Sequence, residues 1–398
     1  MESRSAMALT LLCQAVLAAV QGQAQPITVK RNKDFLVDRN RVVAFDTATE
    51  PIGPYVSSIS QGSDHVRWTQ PIVAPATVRT MSVHLKIAGS RDESKWELRF
   101  RSFGALNDVI TSDSPRGRSP DAWSDDIAGN VVLVELVADV APRGLEIVID
   151  SYDHPIKPAI PQGLFANRML GILASTEDVR KLGTPVARLR IKTNHGQAMC
   201  TGFLISESLM LTNFHCISRD SEAVNARADF GFDRGGAALK TFRLEKLEVI
   251  NSDTTFDYVV ARVSKSPGKI YDHIAPTSVD LVSFQGLSRQ LLLIEHPAGG
   301  PKMVSIQGCA VVNDKVFGVD PQTPSDFGHH CDTLGGSSGS PVFDRDTMKL
   351  VGLHHAGYPE GAKPDDSLQN QAVYIGFVLK DIKKQSPAIY AEIFPGSH

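Results

Sequence analysis

Apolar and polar side chains alternate at every second position in several stretches of this chain, and little in it repeats at helical spacing. In Met81-Ser82-Val83-His84-Leu85-Lys86-Ile87 every other residue is apolar. Lys95-Trp96-Glu97-Leu98-Arg99-Phe100-Arg101 repeats the pattern, with charges on the other face. Period two with one wet face calls for antiparallel strands packed on a single core side. Further strands are expected at Val131–Val137 and 145–149, with a polar loop rich in Ser, Asp, Gly and Pro over 108–126. Short strands separated by turn clusters predict a β-sandwich over residues 25–152.

Three prolines in seven residues, Pro155, Pro158 and Pro161, then predict an extended connector over 153–163. Beyond it, over 164–398, strands return. Ala187-Arg188-Leu189-Arg190-Ile191 alternates, and short apolar runs follow at 201–205, 209–212, 258–263, 290–295 and 350–353. One helix is expected near the end. Val378, Leu379 and Ile382 share a face, Lys380, Asp381, Lys383 and Lys384 take the rest, and Pro387 ends it. The fold class is therefore all-β: two packed barrels closed by a terminal helix, preceded by the sandwich.

At 398 residues the chain has room for both units. A formal charge of −3, with both signs mixed, gives no reason to expect nucleic acid or an anionic membrane as partner. The first 24 residues read as a secretion signal. Arg4 precedes an apolar run from residue 6 to residue 20, and Gly22-Gln23-Ala24 offers a cleavage site. That run is too short to span a bilayer. Leu11 and Leu12 are too bulky to make Cys13 a lipid-anchor site. Export of the chain, to the periplasm or beyond, is the expectation.

Past the signal, Cys200, Cys216, Cys309 and Cys331 remain. An even count in an exported chain favours disulfides. Three pairings exist, and the sequence-local ones, Cys200 with Cys216 and Cys309 with Cys331, are favoured. Each closes a short loop worth about 3 kcal/mol in the chain-entropy picture. A zinc site from these cysteines and His215 is the alternative, but no Cys-x-x-Cys spacing supports it.

The chemistry centres on Cys331-Asp332-Thr333-Leu334-Gly335-Gly336-Ser337-Ser338-Gly339-Ser340-Pro341-Val342-Phe343. A serine hydroxyl needs a base for its proton and donors for the oxyanion that forms. The glycine before Ser338 lets the N–H groups of Gly336 and Ser338 point at one spot. A flexible Gly/Ser linker is the plainer reading, but linkers are rarely locked between a cysteine and a strand. Among twelve histidines, His215 stands out: it follows the apolar strand Leu209-Met210-Leu211-Thr212, with Cys216 beside it. A general base must lie within hydrogen-bond reach, and a bridged neighbour would pin it. A carboxylate must then fix its tautomer. Asp257 heads the apolar strand Tyr258–Val263 and is preferred to Asp253, which sits in a polar turn.

The order His215, Asp257, Ser338 resembles that of chymotrypsin-like (trypsin-like) serine peptidases, over residues 184 to the end of the terminal helix. Leu211-Thr212-Asn213-Phe214-His215, Gly336-Ser337-Ser338-Gly339-Ser340-Pro341 and Gly352-Leu353-His354-His355-Ala356-Gly357 resemble motifs of the bacterial glutamyl and lysyl endopeptidase branch. The resemblance implies Ser338 as nucleophile, His215 as general base, Asp257 as its orienting acid, and the Gly336 and Ser338 N–H groups as oxyanion hole. It implies a secreted endopeptidase acting on protein or peptide through an acyl-enzyme, with no metal or organic cofactor. It matches a Cys200–Cys216 bridge beside the histidine, and it places Asp332, Thr333 and His354 in the specificity pocket. There the signals conflict: Asp332 occupies the place of the acid that selects Lys or Arg, whereas Thr333 and His354 resemble a pair that holds an acidic side chain. Ser337 departs from the pattern, because trypsins carry an aspartate there that captures the new N-terminus. Asp64-His65-Val66-Arg67-Trp68-Thr69-Gln70-Pro71-Ile72 and Trp123-Ser124 resemble an accessory β-sandwich of some secreted relatives of lysyl endopeptidase, with no ligand legible. Trp68, Trp96 and Trp123 are read as core. A silent peptidase scaffold carrying a surface-binding sandwich is the alternative function. His329-His330 and His354-His355 are no metal pairs, since neighbours in a strand face opposite ways.

Overall fold

The computed structural model describes residues 44–45, 47–55, 66–74, 78, 80–89, 95–102, 105–139, 142, 145–155, 169–193, 196–234, 238–252, 255–274, 286–317, 322, 324–357 and 369–395. The expected signal segment, Cys13, Asp253, the Trp68 side chain and residues 156–163 of the connector lie outside these residues. Strands dominate, as the alternation requires.

Six strands close a first barrel: Val186–Thr193, Gly196–Leu204, Leu209–Thr212, Ala226–Phe230, Lys240–Asn251 and Tyr258–Val263. Closure comes where Phe203 and Leu204 pair with Leu211 and Met210. A second, eight-stranded sheet holds Leu291–Glu295, Pro341–Asp344, Leu350–Ala356, Asn370–Tyr374, Asp326–His329 and Val311–Val316 in that order, with Met303–Ser305 and Leu170–Gly171 on its flank. A bridge between Gln290 and Ala310, and the bond from Leu291 N–H to Cys309 O (2.8 Å), bring its last strand back to its first. The fold class expected from the sequence is found: two β-barrels packed side by side.

Several barrel strands are apolar on both faces, and the packing explains why. Leu291 and Leu293 fill the second barrel with Val311, Phe327, Val342 and Val351. Leu292 and Ile294 point the other way, into a core shared by the two barrels with Leu209, Leu211, Tyr258, Val260, Phe343 and Leu353. In the first barrel Met210, Val259 and Ala261 face inward with Leu189, Cys200 and Phe230. A strand pressed between two cores cannot keep a polar face, so its alternation vanishes while its period-two geometry stays.

The terminal helix forms over Ile375–Gln385, with Val378, Leu379 and Ile382 in the shared core. Pro387 ends it, as expected, but also opens a second helix, Pro387–Ile393. Proline is tolerated at the first helical position because its missing N–H has no partner there anyway. Ser386 Oγ caps that helix by accepting from Ile389 N–H. Among the described residues no helix is long and apolar enough to cross a membrane.

Upstream, two antiparallel sheets share one core. One orders the strands Thr47–Tyr55, Leu145–Pro155, Thr80–Gly89 and Asp121–Trp123; the other orders Val66–Val73, Val131–Val137, Glu97–Ser102 and Ala105–Thr111. Met81, Val83 and Leu85 meet Leu98, Phe100, Val132 and Val134 across it. Trp96 and Trp123 are buried, as expected.

The polar stretch 108–126, expected as a loop, also holds the short strand Asp121–Trp123, and its charges are paired. Asp108 and Arg116 form a buried ion pair (2.6 Å), and both Asp108 and Asp125 also bind Arg243 of the first barrel. Arg227 takes Asp125, Arg190 takes Asp126, and Lys192 reaches Asp153 (2.5 Å) and Ser82 Oγ (2.6 Å). Asn225 joins the seam by accepting from Trp123 N–H (2.8 Å). A two-residue strand, Ala44–Phe45, adds to the edge of the first barrel beside Gln197 and Ala198.

Candidate active site

Both disulfides pair as the loop argument expected: Cys200 with Cys216, and Cys309 with Cys331. The first ties the strand Gly196–Leu204 to the turn carrying His215. The His215 ring lies against that bridge, with the nearest ligand-type atoms of Cys200, His215 and Cys216 all within 4.8 Å of one another. Both sulfurs are bonded to each other, so this cluster offers no thiolate for zinc.

Asp257 meets His215 twice. Its Oδ2 lies 2.7 Å from His215 Nδ1, and its Oδ1 accepts from the His215 backbone N–H at 2.9 Å. The residue sits at φ 52°, in the left-handed region that side chains seldom adopt. Surrounding bonds hold it there. Asn213 Nδ2 donates to its carbonyl (2.9 Å), and its own N–H donates to Ser252 O (3.1 Å). Such a backbone persists only where the neighbourhood over-determines it. Burial pushes the Asp257 carboxyl up. The His215 charge and hydrogen bond, with a smaller contribution from His355, outweigh burial and hold it below the ordinary carboxylate value.

The Ser338 loop docks on the strand next to the disulfide. Thr201, adjacent to Cys200, donates its N–H to Ser338 O (2.8 Å) and its Oγ1 to Gly336 O (2.9 Å). Gly336 has φ 95° and Gly339 φ 86°. A Cβ on Gly339 would lie 2.1 Å from Thr201 O and 2.4 Å from Thr212 Oγ1, so only glycine permits this approach. Among the described residues the N–H groups of Gly336 and Ser338 have no acceptor, as donors kept for an oxyanion would. The Ser338 hydroxyl makes no hydrogen bond among the described residues, to His215 Nε2 or any other group. Nucleophile–base bonds are often long in resting sites and tighten with substrate.

Thr333 lies beside the end of the strand that carries His354. A Cβ on Gly357 would be 3.7 Å from Thr333 Oγ1 and 3.4 Å from Asn370 Oδ1. Asn370 Nδ2 in turn donates to Cys331 O (2.6 Å). Asp332 and His354 are buried. His354 Nδ1 faces His329 Nε2 at 3.3 Å, and His329 Nδ1 accepts from Cys331 N–H. That acceptance puts the His329 proton on Nε2, which donates to His354. Burial drives both rings well below the ordinary imidazole value, so both are neutral.

Sequence reasoning missed Glu295, which lies near the Ser338 loop, beside Ser337. It is wholly buried at the end of the strand Leu291–Glu295, with its Oε1 2.8 Å from Ser305 Oγ. Ser305 has one proton and lies 2.6 Å from Asp332 O, which can only accept. That hydroxyl is thus shared between the Asp332 carbonyl and Glu295. Burial pushes the Glu295 carboxyl up to about 8, against smaller opposing contributions from Ser337 and Ser305. Stability from this group is complete below its ordinary carboxyl range and declines as pH rises through about 8. Glu295→Gln keeps a donor toward Ser305 and removes the ionisation. Urea midpoints measured at about pH 5 and about pH 9 should fall less in that variant than in the wild type; an equal fall in both would mean that Glu295 is not the group titrating.

Residues 200–353 match the family described as trypsin-like peptidase domain. Secreted RxLR effector protein 73 of Plasmopara viticola is 31% identical over 185 residues, covering 43% of this chain and 44% of that protein. Uncharacterized protein y4fB of Sinorhizobium fredii is 31% identical over 175 residues, covering 40% and 25%. The chain thus spans less than half the length of either curated relative. Among solved structures, the Rv3671c protease from M. tuberculosis in its active form overlaps with a TM-score of 0.39 at 16% identity, over 58% of this chain and 94% of that one. A thermostable serine protease, AL20, from an extremophilic microorganism overlaps with a TM-score of 0.40 at 16% identity, over 52% and 99%. Over residues 200–353, then, this chain is similar to the trypsin-like peptidase domain family.

Proposed function

We propose that the chain is a secreted serine endopeptidase, with Ser338 as nucleophile, His215 as general base and Asp257 as orienting acid. The observation that carries this reading is the doubly bonded His215–Asp257 pair, pinned by the Cys200–Cys216 bridge beside the docked Ser338 loop. Ser338 Oγ attacks the scissile carbonyl and passes its proton to His215 Nε2. The carbonyl oxygen becomes an oxyanion held by the Gly336 and Ser338 N–H groups, each worth about 3 kcal/mol of transition-state stabilisation. Collapse expels the amine, which takes the proton from His215 and leaves an acyl-enzyme. Water, with His215 again as base, releases the acid and restores the serine. Residues 25–152 serve as an accessory β-sandwich in this reading. The two disulfides and the secreted relative support export.

A fluorophosphonate probe on the intact chain tests the reading. One equivalent should attach to Ser338, located by peptide mass mapping, with parallel loss of hydrolysis of a mixed peptide library. A folded protein that neither labels nor cleaves would leave a silent scaffold instead.

A further inference from the structure

The strand Leu350–Ala356 sends His354 toward His329 and its neighbour His355 the other way. There the His355 ring stands between two carboxylates. Its Nδ1 is 3.7 Å from Asp257 Oδ2, an ion-pair distance rather than a hydrogen bond. Its Nε2 is 2.5 Å from Asp326 Oδ2. Asp326 begins the strand Asp326–His329, and its other oxygen accepts from Ser325 Oγ at 2.8 Å. The side chains of His215, Asp257, His355 and Asp326 are 6%, 5%, 4% and 1% exposed, so water screens none of these contacts well.

A neutral imidazole carries one N–H and one lone pair. Between two buried carboxylates it would satisfy one and present a lone pair to the other. The cation presents N–H on both sides and offsets a charge that burial otherwise makes costly. We propose that His355 is a positioning residue: a second imidazole, held as a cation between Asp326 and Asp257, that fixes Asp257 behind His215 and lowers the pH at which His215 becomes a base. The proposal rests on the reading of His215 and Asp257 as base and orienting acid.

The direction follows from charge. A cation on the far side of Asp257 offsets part of the carboxylate's pull on the His215 proton. Without it, His215 keeps that proton to higher pH. His329 and His354 are neutral, each depressed first by burial and then by neighbouring imidazoles that include His355. On adjoining strands Tyr374 gives its hydroxyl to Asp314 O, and Asp344 is engaged by Arg289 and Thr347.

Full-length wild type, His355→Gln, Asp326→Asn and the double variant would be compared by peptide hydrolysis across pH. The expectation for His355→Gln is a fall in kcat with KM nearly unchanged, and an acid limb of kcat/KM displaced upward by about half a pH unit or more. Asp326→Asn should move it the same way. The double variant should be no worse than His355→Gln, because Asp326 acts through the ring. A folded His355→Gln enzyme with an unmoved acid limb, or additive losses in the double variant, would overturn the proposal. Should the variants not fold, nitrogen-15 NMR of histidine-labelled wild type reads the same point. The His355 ring should be doubly protonated at about pH 7.5, where an unperturbed imidazole is mostly neutral, and a neutral ring would overturn it. Wild type that neither cleaves nor labels sinks the peptidase reading instead, while the NMR still reports on the ring.

Discussion

Ser338→Ala is expected to lower kcat by about a million-fold while leaving the urea midpoint and the far-UV spectrum where they were. The size follows from what is removed. Without the hydroxyl no acyl-enzyme forms, and what remains is the weak catalysis of oxyanion donors and substrate binding, some thousand-fold over water. The unchanged fold follows from what is kept. The loop is held by main-chain groups, Ser338 O and Gly336 O on Thr201, and by the close approach of Gly339 to the same strand. None of these uses the Ser338 side chain, which makes no hydrogen bond among the described residues. Steady-state hydrolysis of a cleaved peptide, with a pre-steady-state burst in wild type only, is the measurement. Activity within tenfold of wild type would show that another group attacks.

How far the sequence carries depends on whether an interaction is local. Strand positions were legible because alternation is written in neighbouring residues, as in 81–87 and 187–191. The disulfides were legible because short loops are the likelier to close. Asp257 could be chosen because an acid at the head of an apolar strand has few other uses. The pairing of the charges in 108–126 was not legible because the partners are remote: Asp126 finds Arg190 across 64 residues, Asp125 finds Arg227 across 102, and Asp108 finds Arg243 across 135. Composition records that such residues are polar and says nothing of what neutralises them. The second terminal helix was missed because a proline that cannot continue one helix is well suited to start the next. His355 and Asp326 escaped for a related reason. Strand alternation says that His354 and His355 diverge, but their targets are set by cross-strand packing, with Asp326 lying 29 residues upstream.

Asp257→Asn should cost about ten-thousand-fold in kcat with the site geometry nearly intact. Its two oxygens do different work. Oδ1 accepts from the His215 backbone N–H, and Oδ2 faces His215 Nδ1. An asparagine has only one acceptor oxygen. The backbone donor cannot change its nature, and leaving it unpaired in a buried site costs roughly 1–3 kcal/mol. The amide therefore turns its oxygen to that N–H and its NH2 group to the ring. Nδ1 must then accept, and the single ring proton moves to Nε2, the nitrogen that has to be empty to take the proton from Ser338. The base is lost by tautomer rather than by displacement. The loss should accordingly sit in kcat, with KM and the unfolding midpoint little altered. Nitrogen-15 NMR should show the proton of the neutral His215 ring on Nδ1 in wild type and on Nε2 in the variant. A variant that retains the wild-type tautomer, or kcat within a hundred-fold, would mean that Asp257 is not what orients this imidazole.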